Sequence, residues 1–217
     1  MPKTKHAPAT ERNRQPILTV LQQVLPDSGT VLEIASGTGE HAVFFAPRMP
    51  YLQWQPSEPQ GIMRESIQAW REALPAPNLL PPLALDVSKR PWPVERTSDQ
   101  SVEKTGESER LTPPITAIVN INMIHIADGR ACEDLMEGAE RVLSTGGVLY
   151  LYGPFKQNGQ HTAPSNEAFD AMLRDRNADW GVRDLEAVIA IAQQHHLEHI
   201  DTIPMPANNL SVVFHRV

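Results

Sequence analysis

The apolar residues of this chain fall into two kinds of stretch that alternate along the sequence. Short runs rich in β-branched residues, such as 115–121, have the composition of buried strands. Between these runs, apolar residues recur at intervals of three and four, the spacing of a helix with one buried face. This helical spacing is found over 17–25, 61–74, 133–143 and 185–197. The alternation predicts an α/β fold in which helices cover both faces of a mostly parallel sheet.

Seven runs have the length and composition of strands, and the last two differ from the rest in how they are connected. The runs are 30–34, 52–55, 83–87, 115–121, 148–152, 200–205 and 210–217. Only a Pro-Ala-Asn-Asn turn separates the last two, whereas helical stretches or longer connections separate the others. The pattern therefore predicts a seven-stranded sheet that ends in an antiparallel C-terminal hairpin.

Two stretches lack any periodic pattern. Residues 1–10 are predicted to form a mobile N-terminal arm, and residues 94–114 are polar, charged and aperiodic. We expect 94–114 to be an exposed, partly disordered insertion that carries no chemistry. Apart from these two stretches, we expect the whole chain, residues 1–217, to form a single domain.

The turn after the first predicted strand is the first candidate for a ligand site. Ser36-Gly-Thr-Gly39 follows that strand, and a helix is predicted from Glu40. Gly37 and Gly39 would let the backbone approach a ligand closely, and the N-terminus of the helix would favour an anion. This arrangement is typical of a nucleotide-binding corner in an α/β protein.

Glu33 stands out because it lies inside this otherwise apolar strand. A buried carboxylate is unfavourable unless a cation or a hydrogen-bond donor meets it. The amino group of the methionine moiety of S-adenosylmethionine (SAM) would be such a partner, with the methionine carboxylate against the amides of Gly37 and Gly39. The alternative is that Glu33 caps backbone amides at the end of the strand.

Acidic residues also follow the next two predicted strands. Glu58 comes 19 residues after Gly39, the spacing at which nucleotide-binding folds place an acid against the ribose hydroxyls. Asp86 ends the third predicted strand, where it could accept a hydrogen bond from an adenine amino group. Both have plainer alternatives, since Glu58 could be an acidic loop residue and Asp86 could cap the next turn.

The fourth predicted strand ends in Asn120-Ile-Asn122-Met-Ile-His125. Open parallel sheets bind ligands at the carboxyl ends of central strands. We therefore expect Asn120 to contact a cofactor, and Asn122 and His125 to face a substrate. His125 could act as a general base, or it could be a structural histidine bonded to a neighbouring loop.

Further polar residues are predicted near the same edge of the sheet. Tyr152 ends the fifth predicted strand, and Lys156 and His161 lie in the long loop that follows. We expect these three residues to handle the substrate. Asn13 belongs to a polar cluster before the first helix, which would either cover a pocket or serve solubility.

Composition narrows the range of functions. A formal net charge of -7 argues against a general affinity for nucleic acid, so a small-molecule substrate is favoured. The chain has one cysteine, and His195, His196 and His199 do not make a clear ligand set, so no metal site is expected. No apolar run approaches the roughly 20 residues of a membrane span, and the first residues lack a secretory pattern. We expect a cytoplasmic protein; its oligomeric state does not follow from the sequence.

Five segments together resemble a known family. These are 33–41, 120–125, 152–156, 161–166 and 205–214. They are similar to an uncharacterised family of methyltransferase-like proteins, found in bacteria and animals, within the class I SAM-dependent methyltransferases. The resemblance covers nearly the whole chain except 94–114. It implies a Rossmann-like fold with seven strands.

The resemblance also implies a SAM pocket. Its residues would be Glu33, Gly37, Gly39, Glu58 and Asp86. Ala35 stands where the first glycine of the usual triplet would be, so that its methyl group would narrow the floor of the pocket.

Methyl transfer from SAM to a small molecule is the function that these features imply. One alternative is a non-catalytic protein that binds SAM or S-adenosylhomocysteine (SAH). Another is an NAD(P)-dependent oxidoreductase, because the residues from Gly37 to Ala42 satisfy the G-x-G-x-x-G/A spacing. Glu33 inside the strand, the lack of room for a substrate domain and the C-terminal hairpin argue against the oxidoreductase.

Overall fold

A computed structural model describes residues 4–98 and 114–217. Its strands are β1 (Thr30–Ile34), β2 (Gln53–Pro56), β3 (Ile115–Ile121), β4 (Val148–Gly153), β5 (Phe155–Gln157), β6 (Gln160–His161), β7 (Arg183–Asp184), β8 (Leu197–Met205) and β9 (Asn209–Arg216). Its α-helices are α1 (Pro8–Val24), α2 (Glu40–Phe45), α3 (Gly61–Ala73), α4 (Ala131–Val142), α5 (Pro164–Arg176) and α6 (Leu185–Gln194).

The main sheet has the strand order β2-β1-β3-β4-β9-β8. Strands β2, β1, β3 and β4 are parallel to one another, whereas β9 is antiparallel to both β4 and β8. The predicted α/β Rossmann-like fold with a C-terminal hairpin is therefore confirmed. A second, small sheet of order β6-β5-β7 follows the carboxyl end of β4.

The predicted strand over 83–87 differs from expectation. The chain pairs with β2 only at isolated bridges, Leu79 with Trp54 and Leu83 with Ser57. Pro81 and Pro82 lie between the bridges and have no N–H to donate, so a continuous ladder cannot form there. In the described residues the main sheet thus has six strands, and an extended edge segment occupies the place of the seventh.

Helices cover both faces of the main sheet, which explains why β1 and β3 are apolar at most positions. Helices α1 and α2 pack on one face, and α4 and α6 pack on the other. Alternate strand residues point to the two faces. Val31, Val119 and Tyr150 face α1 and α2, whereas Leu32, Ile118 and Leu149 face α4 and α6.

The segment before α1 has specific contacts. The Lys5 N–H donates to Ser66 Oγ at 2.8 Å, and the Trp70 indole N–H donates to the Lys5 carbonyl at 2.9 Å. The Ala7 N–H donates to Glu40 Oε2 at 2.5 Å, and α1 begins at Pro8. Residues 4–10 are therefore more extensively bonded than we expected of a mobile arm, and mobility remains a prediction.

Two further expectations concern local boundaries. Of the predicted insertion over 94–114, residues 99–113 lie outside the described residues, and Pro93–Ser98 forms a 3-10 helix. Helix α6 ends at Gln194, earlier than predicted, and Leu197 already belongs to β8. None of the helices in the described part of the chain is long and apolar enough to cross a bilayer.

Candidate cofactor and substrate site

A cavity of about 690 Å³ opens where β1 and β3 end. Its lining includes Ala35, Pro59, Leu85, Asp86, Met123 and Ala127. The volume lies in the range of roughly 300–1,000 Å³ that is usual for small-molecule sites. The chain leaves β1 toward β2 on one side and returns to β3 on the other, so the cavity occupies a topological switch point of the sheet.

Two residues at the ends of these strands have left-handed backbone conformations. Ala35 follows β1 with a φ of 56°, and Asn122 follows β3 with a φ of 66°. An alanine in this region is strained by about 1–2 kcal/mol, whereas asparagine tolerates it better. Ala35 lines the cavity as predicted, and its strain is stored at the cavity wall.

The two glycines of the turn after β1 have different roles. A Cβ on Gly39 would lie 2.8 Å from the Ile67 Cα, so a side chain there would collide with α3. A Cβ on Gly37 would meet nothing within 4 Å, so the space above that residue is open. Gly39 therefore serves packing, whereas Gly37 leaves room beside the turn.

Glu58 ties this turn to β2. Its Oε2 accepts the N–H of Gly37 and its Oε1 accepts the N–H of Gln60, both at 3.1 Å. Burial raises the pKa of the Glu58 carboxyl, although these two hydrogen bonds lower it in part. The Gly37 amide, which we expected to face the methionine carboxylate, is thus directed at Glu58. Glu58 itself precedes the cavity-lining Pro59.

Asp86 lies in the cavity wall and also caps a turn, while its contact with an adenine amino group stays a prediction. It lines the cavity, and its Oδ1 accepts the Ser88 N–H at 3.0 Å and the Ser88 hydroxyl at 2.8 Å. The residue therefore caps the following turn while it presents a carboxylate to the cavity.

Glu33 is not part of the cavity lining. Its side chain is 2% exposed, and its Oε2 accepts the Trp54 indole N–H at 2.7 Å. Burial raises the pKa of the carboxyl to about 7, and the Trp54 hydrogen bond only partly offsets this. The hydrogen-bond donor that meets the Glu33 carboxylate is therefore the Trp54 indole N–H. The geometry does not support the expected contact between Glu33 and a methionine amino group.

Asn120 has an unsatisfied oxygen. The residue is 1% exposed, and its Nδ2 donates to the Ile34 carbonyl at 3.2 Å. Its Oδ1 is buried without a hydrogen-bond partner among the described residues. Such an atom is unfavourable by about 1–3 kcal/mol unless a ligand or a water meets it. This supports the expectation that Asn120 contacts a bound molecule.

His125 is fully buried, with its ring edge-on to Phe155 at 5.0 Å. Its Nδ1 accepts the Arg183 backbone N–H at 3.3 Å. Burial lowers the pKa of His125 to about 3, so the ring is neutral and carries its hydrogen on Nε2. Neither nitrogen then offers a free lone pair. The geometry disfavours the general base, while the Nε2–H is buried without an acceptor among the described residues, so that hydrogen is available to a bound molecule.

Asn122 lies beside this histidine. A Cβ on Gly153 would be 2.5 Å from His125 Nε2 and 3.2 Å from Asn122 Oδ1. The two side chains therefore converge on the same glycine of β4, and the Asn122 N–H donates to the Tyr152 carbonyl at 2.8 Å. Only glycine at 153 allows β3 and its following turn to pack this closely against β4.

Tyr152 and Asn13 form a second polar group, on the α1 side of the sheet. His41 Nε2 lies 2.9 Å from Asn13 Oδ1, and burial lowers the pKa of His41 to about 3. A neutral ring must donate this bond, so the Asn13 Nδ2 is left to donate to the Tyr152 hydroxyl. The Asn209 side chain also bonds that hydroxyl, while its Nδ2 donates to the Pro206 carbonyl at 3.1 Å.

The surroundings of Tyr152 limit what it can do. Hydrogen bonds from the Asn13 and Asn209 side chains lower the pKa of the phenol, but burial raises it by more, so the phenol keeps its proton. A phenol held in this way is a poor proton acceptor. Sequence reasoning missed His41, because nothing local shows that α2 will meet α1.

Lys156 and His161 are brought together by a residue that sequence reasoning also missed. Lys156 Nζ lies 3.2 Å and His161 Nε2 lies 3.3 Å from Asp170 Oδ2. Arg174 Nε lies 3.2 Å from Asp170 Oδ1, and the Val182 N–H donates to the same oxygen at 2.7 Å. The four-residue spacing of Asp170 and Arg174 along α5 was the one available signal.

Burial raises the pKa of Asp170, but hydrogen bonds from Val182, Arg174 and Lys156 more than compensate and hold it below its usual range. Asp170 itself is buried. Lys156 and His161 thus form part of an ion-pair cluster in the small sheet rather than lining the cavity.

Solved structures share this fold at low sequence identity. An O-methyltransferase family protein from Burkholderia thailandensis has a TM-score of 0.74 at 14% identity, over 96% of this chain and 57% of that chain. Human N-acetylserotonin methyltransferase in complex with SAM has a TM-score of 0.70 at 10% identity, over 96% of this chain and 52% of that chain. The mitomycin 7-O-methyltransferase MmcR has a TM-score of 0.71 at 13% identity, over 96% of this chain and 54% of that chain.

This chain therefore spans little more than half the length of these methyltransferases, and the likeness concerns the fold. A family model described as "Protein of unknown function (DUF938)" matches residues 4–216. That match covers nearly the whole of the 217 residues, and the chain belongs to this family.

Proposed function

We propose that this chain is a SAM-dependent methyltransferase that acts on a small-molecule acceptor. The observation that carries the proposal is the cavity at the ends of β1 and β3, with the strained Ala35 and the carboxylate of Asp86 in its wall. The shared fold of the solved methyltransferases supports it. SAM supplies a methyl group that its sulfonium already activates.

The residues present suit such a cofactor. Leu85 and Met123 give the cavity apolar walls that fit an adenine ring, and Asp86 can accept from an exocyclic amino group. Glu58 lies at the edge of the cavity, where a ribose would need an acceptor. The Asn120 Oδ1, without a hydrogen-bond partner among the described residues, is a further acceptor, and the Asn120 Nδ2 donates to the carbonyl of the cavity-lining Ile34.

The protein groups that could take up a proton constrain which methyl acceptors it can use. His125 has no free lone pair, and burial keeps the Tyr152 phenol protonated, so neither can take a proton from the acceptor. Lys156 is paired with Asp170. We infer that the acceptor presents a nucleophile that already has an available lone pair near neutral pH, such as a thiolate or an acidic phenolate. In this case the protein's task is alignment and exclusion of water.

A non-catalytic SAM- or SAH-binding protein is the second candidate. It is favoured by the engagement of both His125, the predicted base, and Tyr152 in hydrogen bonds within the protein. An NAD(P)-dependent oxidoreductase is less favoured. The Gly37 amide that would meet its pyrophosphate faces the carboxylate of Glu58, and a carboxylate repels phosphate.

Calorimetric titration with SAM, SAH and NADH tests the cofactor. We expect SAM and SAH to bind, and Asp86→Asn to weaken SAH binding about tenfold through loss of a charged hydrogen bond. Asp175→Asn removes the same charge from an exposed site on α5 and should leave binding unchanged. Binding of NADH alone would replace the proposal with the oxidoreductase, and no binding by any of the three would remove the cofactor assignment.

Methyl transfer from labelled SAM separates the first two candidates. Incubation with fractionated cell extract and with thiol and phenol acceptors should label a small molecule. Binding of SAM with no labelled product in any fraction would favour the non-catalytic protein.

A further inference from the structure

A groove of about 520 Å³ lies on the outer side of α2, between α1 and α3. Its walls are polar and apolar in about equal parts, and the apolar residues include Val43, Phe44, Pro47, Trp70, Leu74 and Pro75. Leu74 is 52% exposed and contributes apolar surface to the groove. The groove shares no lining residue with the cavity at the ends of β1 and β3.

Two positive charges lie in this groove. The guanidinium carbon of Arg14 is 4.7 Å from the centre of the Phe44 ring, and that of Arg48 is 3.8 Å from the same centre. Both arginines line the groove. One ring thus holds two positive charges, each attracted to the ring, and an anion that reached both of them would be favoured.

The described residues do not supply that anion. Within 4–98 and 114–217, neither Arg14 nor Arg48 forms an ion pair with a carboxylate. Glu40 also lines the groove, but its oxygens accept from the Ala7 N–H at 2.5 Å and the Thr38 hydroxyl at 2.9 Å and contact His6 at 3.1 Å. Arg48 donates through Nη1 to the Phe44 carbonyl at 2.8 Å, so its other N–H groups can still bind an anion.

We propose that this groove binds a small carboxylate with an apolar body. The carboxylate lies between Arg14 and Arg48, whose planar guanidinium groups match its two oxygens. The apolar body lies along Trp70 and Leu74 and removes their surface from water. The charge of the site is opposite to that of the chain as a whole, which has a formal net charge of -7. The proposal does not depend on methyltransferase activity.

Calorimetry with 2-naphthoate and 2-naphthamide tests the proposal, because the two probes have the same rings and differ in charge. We expect 2-naphthoate to bind saturably and 2-naphthamide to bind at least tenfold more weakly. Arg14→Gln and Arg48→Gln should each weaken 2-naphthoate binding about tenfold. Arg12→Gln removes the same charge from an exposed position of α1 outside the groove and should change nothing.

Saturating SAH should leave the 2-naphthoate affinity unchanged, because the cavity and the groove are separate. Equal binding of the two probes, unchanged affinity in both groove variants, or displacement by SAH would overturn the proposal. Arg48 is exposed, so Arg48→Gln should fold even if Arg14→Gln does not, and thermal unfolding checks this. If SAH itself does not bind, the arginine variants still decide the matter.

Discussion

The Nε2 of His41 on α2 lies 2.9 Å from the side-chain oxygen of Asn13 on α1. Because His41 is neutral, it must donate this bond, which leaves the Asn13 Nδ2 to donate to the Tyr152 hydroxyl. The Asn209 side chain donates to the same hydroxyl, so one hydrogen-bond chain joins α1, α2, β4 and the beginning of β9.

Asn13→Ala should break this chain and leave the buried His41 N–H without an acceptor. We expect the free energy of unfolding to fall by about 1–3 kcal/mol, the usual effect of an unsatisfied buried polar group. Urea unfolding measures the change. Gln15→Ala, on the exposed face of the same helix, should stay within about 0.5 kcal/mol of the original chain. Equal effects of the two substitutions would show that this hydrogen-bond chain contributes little to the free energy of unfolding.

Acid should destabilise the protein through its two buried histidines. The pKa values of His41 and His125 are lowered by burial from 6.5 to about 3 in the folded state. Between those values the unfolded chain binds more protons, so the free energy of unfolding rises with pH, by about 1.4 kcal/mol per unit for each histidine.

Glu33 acts in the opposite direction, because burial raises its folded pKa from 4.5 to about 7. One carboxyl offsets only one of the two histidines, so a net loss of stability is expected between about pH 6.5 and 4.5. Urea unfolding across this range checks the slope. A flat or rising stability on acidification would contradict the neutral state of these rings.

Glu33→Gln distinguishes the two roles considered for that residue. Glutamine can still accept the Trp54 indole hydrogen bond without carrying a buried charge. We therefore expect the free energy of unfolding above about pH 7 to increase by roughly 1–3 kcal/mol. Affinity for SAH, measured by calorimetry, should change less than about twofold. A loss of tenfold or more would mean that Glu33 does meet the methionine amino group.

Ala35→Gly should relieve backbone strain at the wall of the cavity. At a φ of 56°, the relief is offset in part by the greater freedom of glycine in the unfolded chain, so we expect about 0–1 kcal/mol of added stability. Ala207→Gly is the matched control, because Ala207 has a φ of 59° and is exposed outside the cavity. Both variants should show a similar gain in thermal unfolding, whereas only Ala35→Gly should alter SAH affinity.

Asp170→Asn should destabilise the small sheet. It removes the charge that Lys156 and Arg174 share, leaves their positive charges to repel one another, and weakens the contact with His161. Because these cations are partly exposed, we expect a loss of about 1–3 kcal/mol, less than for a fully buried pair. Urea unfolding measures the loss, with Asp175→Asn as the exposed control. A difference of less than about 0.5 kcal/mol between the variants would show that the cluster is not stabilising.

The sequence predicted the sheet well because its signals are short-range. The β-branched runs, the turn containing Gly37 and Gly39, and the hairpin turn at 206–209 each specify structure within a few residues. The exception, 83–87, was also locally signalled, since Pro81 and Pro82 immediately before it cannot continue a ladder.

The chemistry was harder to predict because it depends on distant partners. Glu33 needed a donor, and the donor is the side chain of Trp54, which no spacing rule selects. The sequence allowed His125 to be a base. In the structure its Nδ1 accepts the N–H of Arg183, which lies 58 residues away in the chain. Asp170 contacts both Lys156 and His161, and its four-residue spacing from Arg174 was the one sequence feature that pointed to it.

The prolines at 81 and 82 have a consequence for how this protein meets other chains. They lie in the segment that borders β2, and at the opposite border β8 contains Pro204 and a register shift between His199 and Asp201. A strand added beside β2 would lack the backbone N–H donors of Pro81 and Pro82. A strand added beside β8 would lack the N–H of Pro204 and would meet an irregular hydrogen-bonding register. Growth of the sheet by addition of a further chain, the first step of cross-β aggregation, is therefore discouraged on both sides.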